Sequence, residues 1–389
     1  MKYFIVTYGC QMNVHDSEKI AGILENMGYT PCQTREEADI IVFNTCAVRE
    51  GAEDRVFGNV GNLKKMKKKN KNLIIVVCGC MTQKEETAQK LMSTFPFIDI
   101  VLGTFNLPRL GYFVDAVKKG RQLEVLNEGD IDEVLPYKRT SGENAWINIM
   151  QGCNNFCTYC IVPYVRGREK SRKEENILNE IKELLKEGKY KKFTLLGQNV
   201  NSYGNDLNDG TTFAKLLHDI CALDGDFTLS FMTSHPKDLN DDVIEAIANE
   251  EKIEKYIHLP AQSGNNRILK IMNRKYTREK YLDIIDKIRA KIPNCRLTSD
   301  FIVGFPGETD EEFEDTYSLI EKVRFDSIFA FMYSPREGTV AARMENQIPE
   351  KIKHERVNKL LALEKRIQKE DNKRWAILNC RQAWNSIKK

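Results

Sequence analysis

The stretch AWINIMQGCNNFCTYC, residues 145–160, decides how the chain is read. Its first six residues form a mostly apolar run of strand length. Cys153, Cys157 and Cys160 follow at once in a C-x3-C-x2-C spacing. Metal sites built on cysteine usually offer four thiolates, and here the run stops at three. Three core cysteines without a metal fit poorly with so tight a spacing in a loop. Structural zinc asks for two paired C-x2-C knuckles to close its tetrahedron. An iron–sulfur cube on three thiolates leaves one iron open, and an open iron can bind a substrate or cofactor.

Downstream of this loop, strands are predicted at 193–197, 227–232, 256–259, 297–304 and 327–333. Helical patterns separate them near 173–187, 212–222, 240–249, 277–290 and 310–322. With 145–150 as the first strand, this is the order of an open or partial (β/α)6 barrel, whose site lies at the C-terminal strand ends. Upstream, YFIVTY (3–8), DIIVFNT (39–45), NLIIVVC (72–78) and DIVLG (99–103) read as buried strands. Amphipathic segments at 16–27, 50–68 and 83–93 alternate with them, so a second parallel sheet with flanking helices is expected. The fold class is therefore α/β throughout. The domains are expected at 1–126, a polar linker at 127–144, the barrel at 145–345 and a helical extension at 346–389.

The chain has 389 residues, 41% of them apolar, and a formal net charge of +3. That composition excludes a disordered chain and a generic polyanion binder. No apolar run reaches the ~20 residues of a membrane span, and no signal-peptide pattern precedes the first strand. A cytoplasmic protein without a membrane partner is expected. Its eleven cysteines then read as reduced thiols, some of them metal ligands. Positive charge is local: KKMKKKNK (64–71) and RGREKSRK (166–173) are either solvated faces or contacts to phosphate.

Three further cysteines share one structural position. Cys10, Cys46 and Cys80 each lie just past the end of a predicted N-terminal strand. Neighbouring parallel strands bring such residues together. Cys78 falls on its strand and is assigned to the core, and Cys32, Cys221, Cys295 and Cys380 stand outside either pattern.

The words around these cysteines carry a resemblance. C-x3-C-x2-C after the first strand of a partial barrel resembles the signature of the radical S-adenosylmethionine (SAM) enzymes. YGCQMNVHDSE (8–18), FNTCAVRE (43–50), CGCMTQ (78–83), LLGQNVNSYG (195–204), TSHPKDL (233–239), TSDFIVGFPGETDEEFEDT (298–316) and FMYSPREGT (331–339) are similar to the methylthiotransferases within that group. The resemblance implies a 4Fe–4S cluster on Cys153, Cys157 and Cys160 that binds SAM, and a second 4Fe–4S cluster on Cys10, Cys46 and Cys80. It implies a partial radical SAM barrel, and methylthiolation of carbon 2 of N6-isopentenyladenosine in a tRNA anticodon stem-loop. Two SAM would be used, with electrons from a reductase such as flavodoxin or ferredoxin. The rivals are the same chemistry on N6-threonylcarbamoyladenosine or on a ribosomal protein, and a non-catalytic RNA-binding iron–sulfur protein.

Polar residues at the barrel strand ends are the candidates for SAM: Gln198, Asn199, Asn201, Ser234, Gln262, Asp300 and Gly304, with Arg166 for a carboxylate. Several of them serve equally well as turn formers. His235 and His258 receive no acid–base role. Lys64, Lys65, Lys67, Lys68, Lys69, Arg168 and Arg172 are the candidates for RNA phosphate. Related enzymes continue into a small β-domain called TRAM, and no alternating strand pattern follows residue 374.

Overall fold

The computed structural model describes residues 1–48, 51–129, 137–140 and 142–387, and side chains to residue 371 apart from Ala52. Part of the predicted linker (130–136 and 141) and the side chain of Cys380 lie outside the described residues. Two compact units divide the chain: residues 1–156 with 160–232, and residues 157–159 with 233–389.

The first unit opens with β1 (Lys2–Thr7), α1 (Gln11–Asn26), β2 (Thr30–Pro31), β3 (Ile40–Thr45), α2 (Ala52–Gly61) and α3 (Lys64–Lys69). It continues through β4 (Ile74–Gly79), α4 (Glu85–Thr94), β5 (Ile100–Leu102), α5 (Leu110–Ala116) and β6 (Gln122–Glu124). The six strands form one parallel sheet in the order β2-β1-β3-β4-β5-β6. Every residue of β3 is buried, as a central strand covered on both faces requires. One apolar layer packs Ile20 and Leu24 of α1 against Ile40, Val42, Val76 and Cys78. The other packs Val56 and Val60 of α2 against Ile41, Phe43, Ile75 and Val77. Cys78 is thus a core residue.

The same unit then adds β7 (Asn144–Asn148), β8 (Met150–Gln151), α6 (Val162–Arg166), β9 (Lys170–Ser171), α7 (Glu174–Lys186), β10 (Lys192–Leu196), α8 (Phe213–Cys221) and β11 (Thr228–Phe231). Strands β7, β10 and β11 pair in parallel, and β8 pairs with β9 antiparallel. The second unit holds α9 (Asp241–Asn249), β12 (Tyr256–His258), α10 (Asn266–Ile271), α11 (Arg278–Lys291), β13 (Arg296–Val303), α12 (Asp310–Val323), β14 (Ser327–Met332) and α13 (Glu350–Ile387). Its strands form a parallel sheet in the order β12-β13-β14. All six strands expected between 145 and 345 are therefore present, three in each unit.

Buried charge ties the first unit together. Glu18 of α1 accepts from Arg139, from the Thr140 backbone N–H at 2.8 Å and from its hydroxyl. Arg139 also pairs with Glu180 of α7, and Glu180 pairs with Arg172 at 2.7 Å. Removing one member strands its partner away from water, so the set holds as a unit.

Candidate iron–sulfur and cofactor sites

Cys10, Cys46 and Cys80 follow β1, β3 and β4, which are neighbours in the sheet. Parallel register carries the three chain reversals to one edge of the sheet: Tyr8 N–H donates to Asn44, and Cys80 N–H to Thr45. Two glycines make the close approach possible. Gly9 has φ +107°, and a Cβ there would lie 2.7 Å from Cys46 Cβ and 2.8 Å from its Sγ. Gly79 has φ +104°, and a Cβ there would lie 2.6 Å from Asn44 Oδ1 and from the Thr45 carbonyl. Only glycine fits either place.

Cys10 is exposed, while Cys46 and Cys80 are buried. Cys10 occupies the N-cap of α1, makes no side-chain cap bond, and no acidic residue follows in the first turn. The uncapped amide end of a helix favours an anion there. Burial pushes the Cys80 thiol up to about 11, against the lowering influence of Arg166. Among the described residues no three His, Cys, Asp or Glu side chains are arranged around a single metal ion. A 4Fe–4S cube attaches each thiolate to a different iron, so it takes a wider triad. Three thiols on one sheet edge, with a helix amide end and a buried cation beside them, suit such an anionic group.

The rest of the YGCQMNVHDSE segment serves this edge. Asn13 donates to the Tyr8 carbonyl at 2.7 Å and the Thr45 carbonyl at 2.8 Å, holding both reversals. Asn44 donates to the Asn13 carbonyl and to Ser17. Asp16 accepts from Arg166 at 2.6 Å.

The second triad lies on the loop after β8. At its start Gly152 has φ +80°, and a Cβ there would overlap the Arg168 carbonyl oxygen. Gly152 N–H donates to Gln198 Oε1 at 2.5 Å, so Gln198 braces the loop. Cys157 is buried, and Arg274 Nη1 donates to its sulfur at 3.4 Å. Arg274 is itself buried and further bonded to the Pro260 carbonyl at 2.9 Å and to Tyr276 at 3.0 Å. Cys153 and Cys160 are half-buried. Gly152→Ala adds about 1–3 kcal/mol of backbone strain to the overlap. The variant is expected to melt earlier and to hold less iron after anaerobic reconstitution, read by thermal unfolding and iron assay.

The other predicted contacts fall in both units. Asn199 and Asn201 are buried on the turn after β10. In the second unit Ser234 and Gln262 are buried, and Ser234 Oγ and Gln262 Oε1 have no hydrogen-bond partner among the described residues. Gln262 has φ +65° and bonds through its backbone to Asp300 and Ile302. Such strain with an open buried carbonyl suits a ligand contact. Asp300 lies 3.5 Å from His258 Nε2. His235 is pushed down to about 2 by burial, so it stays neutral at ordinary pH. At Gly304 the space of a Cβ is filled by the Lys353 side chain from α13, so this glycine admits a helix. Glu308 ties that end together by accepting from Gly304 N–H at 2.7 Å and from Arg356 of α13 at 2.6 Å.

Three basic candidates are committed elsewhere. Arg166 points at the N-terminal triad. Arg172 is buried against Glu180 and the Asn148 carbonyl. Lys67 pairs with Asp99 at 2.7 Å. Lys64, Lys65, Lys68, Lys69 and Arg168 remain exposed. Arg168 stacks 4.3 Å from the ring centre of Phe156. Both line a cavity of about 480 Å³ with Phe105, Gln151, Arg166 and Lys170. Sequence reasoning gave no role to Asn13, Asp16 or Arg274. The first two follow Cys10 by three and six residues, on a helix that the sequence reading began only at residue 16.

Comparison with known proteins agrees with this architecture. The profile of the radical SAM superfamily matches residues 147–320, and that of an uncharacterized protein family, UPF0004, matches 2–103. A tRNA-2-methylthio-N(6)-dimethylallyladenosine synthase of Carboxydothermus hydrogenoformans is 55% identical over 374 residues, covering 95% of this chain and 85% of that protein. The synthase of the same name from Thermoanaerobacter pseudethanolicus is 52% identical over 371 residues, covering 95% and 79%. Among solved structures, the radical SAM methyltransferase TsrM of Kitasatospora setae superposes with a TM-score of 0.64 at 14% identity, covering 88% of this chain and 76% of that one. That last likeness concerns the fold alone. The chain belongs to the radical SAM methylthiotransferases, tRNA-modifying enzymes, in the family of the tRNA-2-methylthio-N(6)-dimethylallyladenosine synthases.

Proposed function

We propose that the chain methylthiolates carbon 2 of N6-isopentenyladenosine beside the anticodon of tRNA, with two SAM and two 4Fe–4S clusters. The observation that carries the reading is the pair of intact triads, in a chain 55% identical to a synthase of that name. Cys153, Cys157 and Cys160 would hold the cluster that takes SAM, and Cys10, Cys46 and Cys80 the second. Bound SAM supplies radical chemistry that no side chain provides.

The protein's own groups bind and orient. Ser234 and Gln262 offer SAM their unpartnered buried atoms, and Asn199, Asn201, Asp300 and Gly304 complete the proposed set. Gln198 acts one step back, through Gly152. The Phe156–Arg168 stack beside Lys170 offers an aromatic face and positive charge to an unpaired base and its phosphate. Lys64, Lys65, Lys68 and Lys69 extend the positive surface along α3. The functional division at 1–126 and 145–345, a cytoplasmic setting, and a flavodoxin- or ferredoxin-type electron donor belong to the same proposal. No helix among the described residues is long and apolar enough to cross a membrane.

Mass spectrometry of tRNA nucleosides from a deletion strain tests this. The 2-methylthio group is expected to vanish from isopentenyladenosine and to return with the plasmid-borne gene. Loss from threonylcarbamoyladenosine instead, or from a ribosomal protein, would transfer the enzyme to another branch.

A further inference from the structure

Arg166 lies six residues past Cys160, in the loop that carries one triad, yet its side chain serves the other. It is 4% exposed, and its Nε donates to Cys80 Sγ at 3.2 Å. Its Nη2 donates to Asp16 Oδ2 at 2.6 Å and to Asn13 Oδ1 at 2.9 Å. The guanidinium thus bridges the Asp16 carboxylate and a cysteine of the N-terminal triad. An arginine so placed costs desolvation and is almost wholly buried, so a solvated surface role does not account for it.

We infer that Arg166 is a positioning residue for the N-terminal cluster: it fixes the Cys80 sulfur and offsets the negative charge of the cluster that Cys10, Cys46 and Cys80 hold. The inference rests on the two-cluster reading above. Hydrogen bonds to ligand sulfur and nearby charge are the protein's means of setting a cluster's potential. An N–H donor and a full positive charge both favour the reduced, more negative state. Arg274 stands in the same relation to Cys157 in the other triad.

The test uses the full chain with Cys153, Cys157 and Cys160 replaced by alanine, so that only the N-terminal cluster is read. After anaerobic reconstitution this background is expected to hold about four irons. Arg166→Met strands the Asp16 carboxylate, so the working variant is Asp16→Asn with Arg166→Met, beside Arg166→Lys. In a redox titration followed by electron paramagnetic resonance, the double change is expected to lower the reduced-to-oxidised ratio at fixed potential by tenfold or more relative to Asp16→Asn alone, 59 mV for one electron. Arg166→Lys keeps the charge and should recover most of that shift. If both variants hold wild-type iron and titrate with the background, Arg166 is a fold residue and the inference fails. If the double variant holds no iron, Arg166→Gln, which keeps a donor and loses the charge, takes its place. It must titrate below the background, or the inference fails again. If the background itself holds no iron while the natural chain holds four, the two-cluster reading has failed instead.

Discussion

Replacing Cys153, Cys157 and Cys160 together by alanine is expected to abolish reductive cleavage of SAM and to halve the iron, from about eight per chain to about four. The three sit within eight residues of one loop. That loop is shaped by a glycine for which no other residue fits, and is braced by Gln198. None of the three has a neighbour in the sequence that could replace it as a ligand, since the next cysteine is Cys221, buried on α8. The loss should therefore be complete. Anaerobic assay of 5′-deoxyadenosine with dithionite as reductant reads it directly. Continued 5′-deoxyadenosine formation by the triple variant would sink the assignment. Iron that stays near eight would place the first cluster elsewhere.

The strands were legible because their signals are local. Buried β-branched runs announced β3, β4, β10 and β13 within a residue or two of their observed ends. The cysteines past β1, β3 and β4 could be grouped because parallel pairing makes strand ends neighbours. Other features were illegible because the deciding interaction is long-range. The segment QMNVHDSE is polar, so α1 was expected from residue 16, yet it begins at Gln11. Asn13, His15, Asp16, Glu18 and Lys19 are all buried there, and the polarity that suggests a loop instead feeds a buried network. The single helix expected over 50–68 breaks between Gly61 and Lys64 into α2 and α3. The helical extension expected over 346–389 is α13, Glu350–Ile387. Arg166 was read as a contact for the SAM carboxylate, and Arg172 and Lys67 as contacts for RNA phosphate. Their carboxylate partners lie 150, 8 and 32 positions away, and charge composition cannot disclose such pairings.

Alanine at Cys10, Cys46 and Cys80 together is expected to give the opposite pattern: SAM still cleaved, and no methylthiolated adenosine formed. These three belong to the edge of the N-terminal sheet, and none lies on the loop proposed to hold the SAM cluster. Their loss would remove the proposed second cluster and leave the Gly152–Gln198 brace and the Cys157–Arg274 contact untouched. Cys46 and Cys80 are buried, so three alanines also cost packing, and a lower melting temperature is expected alongside the chemical effect. The readout separates the two effects. A merely destabilised enzyme loses 5′-deoxyadenosine and methylthiolated product in proportion. An enzyme without its second cluster loses the product alone. Isopentenylated anticodon stem-loop is the substrate, and both products are followed from one reaction by mass spectrometry. If methylthiolation persists at the wild-type rate, the N-terminal cysteines are structural. If 5′-deoxyadenosine and product fall together in a variant that still melts cooperatively, the triads do not divide the labour as proposed.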